Sequence, residues 1–479
     1  MMKFYATILK IAFIFLTISL HASEIDFVLN KGQKVKSTYS GDIDQKSSIH
    51  LIIYKDKNRK EYGIKPFFID ENNKIIELND INFSSEPTIL SYHKNEETLT
   101  LIASEDTKLK LGIFTKKLTI IDVNINTKES KIKVLPKFKL PKVTVRLPEK
   151  SILLNYIVEE KRIDITNIVN GDNIIQTPFN VSEDYGIFKR IFSSQPKFIN
   201  TNEYIENGAI DDTKVYYDKG LLYFDYIRRN NQSILSLVLN PVQSNSLQFQ
   251  IIDNLDIEKI KNLNSFYHKG NLFLMIKTKK STILSVVDIK TGSIKFKKPI
   301  QGNFIGYFND ENLRLIDKAI RIQRHKPTIT INKSVEGLNV LRLSYVDKTT
   351  YNYHNNWWFH HQMFQNMMHQ QQEFMRQQNF NRMPSFGPNN ETFDLYNTEV
   401  PSIIKENEFI KIVFDNNLNP IKNASVKTVK EYIDKNLYLE PFKDQKGIKH
   451  FTAAFSTESI RTIHYSKKSK KFIIETSSL

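Results

Sequence analysis

The chain has 479 residues, 40% of them hydrophobic and 25% charged, which is enough apolar material for a sizeable core and excludes disorder of the whole. It contains no cysteine, which excludes disulfides, thiolate metal centres and a cysteine nucleophile. Sixty-eight basic against fifty-two acidic residues give a formal charge of +16. That charge suits an anionic partner, but scattered lysines also serve solubility alone.

Residues 1–22 have the layout of a secretory signal peptide. Lys3 and Lys10 make the first ten residues basic, Ile11 to Leu20 form a mostly apolar run, and Ala22 offers a small residue for cleavage. The run is too short to cross roughly 30 Å of hydrocarbon, and no later stretch approaches about 18 uninterrupted apolar residues. An exported chain, periplasmic or secreted, with no transmembrane segment after leader removal is the expectation. Export argues against a nucleic-acid partner.

From residue 23 to 349 the texture is short runs of β-branched and aromatic residues broken by Asn, Asp, Lys and Gly. Examples are Ile49 to Tyr54, Leu99 to Ala103, Leu118 to Val123, Leu221 to Ile227, Ile283 to Val287 and Ile294 to Phe296. No long helical periodicity stands out, so this region reads as all-β. Between Lys131 and Arg146, basic and apolar residues alternate with a period near two, and Pro136 and Pro141 confine that stretch to edge strands or connections.

One pattern recurs. Tyr217-Asp218-Lys219-Gly220 is echoed by Tyr267-His268-Lys269-Gly270, and Tyr92-His93-Lys94-Asn95 is a weaker copy. Each leads into a strand, a hairpin and a turn at Asp or Asn, as at Asn124, Asn240 and Asp288. Recurrence at about 40–50 residues is how a propeller blade reads. The predicted architecture is an all-β, propeller-like repeat domain of about six or seven blades, over residues 23–349 and 400–479. Residues 23–90 fit the period least well and could be a separate β segment. The alternative is two or more β-sandwich-like domains.

Val340 to Val346 and Phe409 to Phe414 read as paired strands, which makes 350–399 an insertion in one hairpin. Within 351–390, fifteen of forty residues are Asn or Gln, and both tryptophans, five of eight methionines and four of eleven histidines lie there. Such a tract reads as a low-complexity loop, or as a helix with Trp357, His361, Phe364, Met368 and Met375 on one stripe. Trp357, Trp358, Phe364, Met367 and Met375 are the candidate partner-binding residues. His361, Met368 and His369 share a broad helical face, and thioether and imidazole ligands suit copper, so they are the candidate metal ligands. Phe451 to Phe455 and Ile460 to Tyr465 read as a last hairpin.

No Gly-x-Ser-x-Gly elbow, phosphate-binding loop, His-Glu-x-x-His or dinucleotide fingerprint occurs. Asp415-Asn416-Asn417 reads as a turn, because Pro420 and Val426 stand where a calcium loop needs Gly and Glu. His50, His93, His268, His325, His450 and His464 show no spacing that implies a site. The sequence favours an exported, non-catalytic binding or scaffolding module that needs no cofactor and uses the insertion as contact element. A protein or an anionic cell-envelope polymer is the expected partner. One alternative is a periplasmic copper-binding protein using the Met/His tract, and another is an exported hydrolase of glycan or peptide.

Overall fold

Ile49, Leu51 and Ile53 alternate along one strand with His50, Ile52 and Tyr54, and all six are buried. The first three belong to one hydrophobic cluster, whereas Ile52 belongs to another. A strand covered on both faces reads as a continuous apolar run, which accounts for the texture of the sequence.

The computed structural model describes residues 21–193, 196–200, 212–347, 409–422 and 447–478, apart from interior breaks of one to six residues. One compact unit comprises Met1–Glu183 with Val429–Leu479, and a second comprises Asp184–Thr428.

In the first unit, β1 (His21–Ile25) precedes β2 (Gln33–Asp42), β3 (Ser48–Asp56), β4 (Glu61–Ile69), β5 (Ile75–Glu77) and β6 (Ile81–Phe83). Strands β2 to β5 pair in chain order, and β6 also pairs with β4. A second sheet runs through β7 (Thr88–Asn95), β8 (Thr98–Lys108), β9 (Phe114–Asn124) and β10 (Ser130–Phe138). A third runs through β11 (Val143–Arg146), β12 (Ser151–Ile157), β13 (Arg162–Ile168) and β14 (Ile174–Asn180).

The second unit opens with α1 (Tyr185–Ser193). Its first sheet holds β15 (Lys197–Phe198), β16 (Thr213–Asp218), β17 (Leu221–Arg228), β18 (Ser233–Leu239) and β19 (Gln248–Ile252). The next holds β20 (Asn262–His268), β21 (Asn271–Lys277), β22 (Thr282–Asp288) and β23 (Ile294–Pro299). After α2 (Ile300–Asn303) and α3 (Asp310–Arg321) comes a three-stranded sheet of β24 (His325–Lys333), β25 (Asn339–Asp347) and β26 (Phe409–Phe414).

The chain then returns to the first unit with β27 (Ile448–Phe455), β28 (Ser459–Ser466) and β29 (Lys471–Ser478). Strand β1 completes this sheet by lying antiparallel on β29. The fold is thus all-β and propeller-like in its parts, with seven small sheets among the described residues.

The turns explain the recurring sequence pattern. Lys219 and Gly220 have φ of 48° and 83°, and Lys269 and Gly270 have φ of 47° and 77°. Two successive left-handed residues make the tight hairpin turn that matches strand twist, and Gly fills the second position without a Cβ penalty. The copy at Tyr92 is offset, since its left-handed residue is Glu96, two positions later than the motif would put it. After the third strand of a sheet comes an Asp or Asn whose side chain caps the next turn. Asp70, Asn124, Asn170, Asn240, Asp288 and Asp415 each accept a backbone N–H two residues on.

Strands β25 and β26 pair from Asn339↔Phe414 to Ser344↔Phe409, across the long connection between them. The basic stretch falls on edges as expected, with β10 closing one sheet, β11 opening the next, and a register shift around Pro136. Strand β29 follows the predicted last hairpin. Within this all-β fold the short helices α1 and α3 interrupt the run of strands. In α3, Ile316 and Ile320 are spaced for one buried face, Asp310 and Glu311 sit in the first turn, and Lys318 and Arg321 lie in the last.

Candidate functional site

The chemistry-bearing side chains of the described residues gather where neighbouring sheets meet. In the first unit, β2 packs beside β27, and Ser40 Oγ is 2.7 Å from both Thr452 Oγ1 and His50 Nδ1. The other ring nitrogen of His50 lies 3.1 Å from Ser48 Oγ. Thr38 donates to the His450 carbonyl at 2.7 Å. His50 is fully buried, and desolvation, helped by the charge of Arg461, pushes its pKa down to about 3. The ring is therefore neutral, with one nitrogen donating to a hydroxyl and the other accepting from one.

A second cluster joins β7 to the sheet of β12. His93 Nε2 donates to the Val169 carbonyl at 2.8 Å, which leaves Nδ1 as the acceptor for the Ser151 hydroxyl at 2.9 Å. Ser151 Oγ is also 2.7 Å from Ser91 Oγ. A serine, an imidazole and an orienting acceptor in line have the arrangement of a nucleophile and its base. Ser151 and His93 are nevertheless 0% exposed, so no substrate reaches them, and burial lowers the pKa of His93. The cluster ties sheets together.

In the second unit the buried group is ionic. Lys214 on β16 and Asp225 on β17 are directly paired across the hairpin. Their side chains are 0% and 2% exposed, with Nζ 3.7 Å from Oδ1. Lys214 Nζ donates to the Ser265 carbonyl at 2.8 Å and to Ser265 Oγ at 2.9 Å. Asp225 Oδ2 accepts from Ser265 Oγ at 2.9 Å and from the Tyr216 hydroxyl at 3.3 Å. Burial raises the Asp225 pKa despite the neighbouring lysine, because desolvation of the carboxylate exceeds the attraction. Further along, Tyr267 donates to Asp218 at 2.8 Å, His268 Nε2 to Asn339 Oδ1 at 3.1 Å, and Thr282 Oγ1 lies 2.6 Å from the Tyr345 hydroxyl.

Solvent meets a different set of residues. On the edge strand β10, Ile132 and Val134 are exposed, and so are Lys131 and Lys133. Ile175 on β14 and Ile294 on β23 are exposed as well.

The predicted metal ligands His361, Met368 and His369, and the predicted contact residues Trp357, Trp358, Phe364, Met367 and Met375, lie outside the described residues. Among the described residues no group of three or more His, Asp and Glu is placed to hold a metal ion, and no helix is long and apolar enough to cross a membrane. Sequence reasoning missed the clusters at His50, His93 and Lys214. The available signal was a polar residue inside an otherwise apolar run, present at His50 and at Asp225 but not at His93 or Lys214.

The sequence matches no protein-family model and no curated protein. Among solved structures it is similar to a Synechocystis apocarotenoid oxygenase mutant at 9% identity, over 57% of this chain and 63% of that one, with a TM-score of 0.30. It thus spans under two thirds of that oxygenase. It is similar to the WD40 domain of SCAP from fission yeast at 6% identity, over 96% and 98% of the two chains, with a TM-score of 0.28. An acylaminoacyl peptidase from Pyrococcus horikoshii gives 10% identity over 68% and 58%, with a TM-score of 0.23. Likenesses this distant carry no argument about activity.

Proposed function

We propose that the chain is an exported, non-catalytic binding or scaffolding module whose 350–399 segment is the contact element. The observation that carries this reading is the direct pairing of β25 with β26 on either side of that segment. Hydrogen bonds of the sheet hold both ends, and a long connection on a rigid sheet is where recognition tends to sit. The buried clusters support the same reading, because Ser40, His50, His93, Ser151, Lys214 and Asp225 are occupied with each other.

Export rests on the leader. Cleavage after Ala22 would leave Ser23, Glu24 and Ile25 in register with Ile474, Ile473 and Phe472, so β1 would keep three of its pairs. Exposed lysines such as Lys131 and Lys133 favour an anionic protein or envelope polymer as partner.

The test is a variant lacking residues 351–390, compared with the intact chain for retention of envelope proteins and polysaccharides on an affinity column. The variant should keep its β-sheet circular dichroism and lose the ligands. Undiminished retention of the same ligands would overturn the assignment. Titration of both proteins with copper and zinc, followed by Trp357 and Trp358 fluorescence, asks whether the ligand is a metal instead.

A further inference from the structure

We propose that Lys214 and Asp225 are joined by an isopeptide bond between Nζ and Cγ, formed within the folded chain and clamping β16 to β17. The two residues are direct cross-strand partners, so their side chains leave the same face of the hairpin side by side. Both are almost wholly buried, next to Tyr216 and Phe266, whose rings meet edge-on at 5.7 Å.

The groups around the pair can serve an amide as they serve the ion pair, at the cost of one of the two bonds that Nζ now donates to Ser265. Asp225 Oδ1, the oxygen nearer the amine at 3.7 Å, has no hydrogen-bond partner among the described residues. Oδ2 is held by two hydroxyl donors, Ser265 and Tyr216. The Ser265 carbonyl, 2.8 Å from Nζ, is the acceptor for the single N–H that an amide retains.

The chemistry closes without a further reagent. Desolvation favours the neutral pair, so a proton passes from the ammonium to the carboxylate and leaves an amine beside a carboxylic acid. The Nζ lone pair attacks Cγ while the Ser265 and Tyr216 hydroxyls polarise the Cγ–Oδ2 bond. The Nζ–Cγ bond forms, the Cγ–Oδ1 bond breaks, and a proton from Nζ leaves with Oδ1 as water. Three protons on the original ammonium become one on the amide and two on the water, so both charges vanish.

Mass spectrometry of the intact wild-type chain under denaturing conditions decides the matter. The expected mass is lower by about 18 Da, one water, than that of the sequence counted from the N-terminus found by sequencing the same sample. Trypsin should then fail to cut after Lys214 and yield residues 198–219 joined to 220–228 as one branched peptide. Lys214→Arg should restore the missing water and release 220–228 free, whether or not that variant folds. A wild-type digest containing linear 198–214 and unlinked 220–228 overturns the proposal, as does a water loss mapped to any other pair.

Discussion

Replacing His50 by Leu isolates one buried imidazole. The ring lies among Ser40, Ser48 and Thr452, and its pKa falls from 6.5 to about 3 in the folded chain. Below pH 6.5 the unfolded chain takes up a proton that the native chain refuses until about pH 3. The stability contributed by His50 is therefore complete above pH 6.5 and declines by about 1.4 kcal/mol for each pH unit below it. At pH 5.0 the loss reaches about 2 kcal/mol. Near neutral pH the Leu variant should be the less stable protein, since the Ser40 and Ser48 hydroxyls lose a partner worth about 1 kcal/mol each. The gap between the two proteins should then shrink by about 2 kcal/mol between pH 7.5 and pH 5.0. His93, His450 and His464 also have lowered pKa values, but they are common to both proteins and cancel in the comparison. Urea titrations followed by far-ultraviolet circular dichroism at the two pH values give the gap directly. A gap that stays constant within about 0.5 kcal/mol would show that His50 is not held neutral in the fold.

Two glycine substitutions separate steric from backbone effects. At Gly41 an added Cβ would lie 1.8 Å from the Tyr92 hydroxyl and 2.3 Å from its ring. That ring is pinned by Tyr39, edge-on at 5.7 Å, and by the Arg146 guanidinium at 4.8 Å, so Gly41→Ala should destabilise by about 1–3 kcal/mol. At Gly270 the space is open and only the φ of +77° resists a Cβ, so Gly270→Ala should cost about 1 kcal/mol. Thermal melts that rank Gly270→Ala as the more damaging change would refute the close approach of Tyr92 to Gly41.

How much the sequence discloses follows from which interactions are local. The strand at Ile49 to Tyr54 was legible because cover on both faces demands apolar residues at every position, and the turn at Asp288 because its carboxylate caps N–H groups two and three residues away. Helix α3 was obscured because it is short, twelve residues, and its apolar residues alternate with charged ones in a chain whose surroundings read as strand. The polar clusters were illegible for a different reason. Ser40 meets Thr452 across 412 positions and His93 meets Ser151 across 58, separations that no motif encodes. One trace of them does survive in the sequence. His50 interrupts an apolar run that is buried on both sides, and a polar group there must find partners or destabilise the fold; it finds Ser40 and Ser48 in its own sheet, and Ser40 reaches Thr452 on the adjoining one. The same reasoning picks out Asp225, after Phe224, as a position whose partner lies across a strand or sheet boundary. Buried polar residues on the strands of this chain therefore belong to short networks, some of which, through Ser40, Ser151 and Ser265, reach from one sheet to the next.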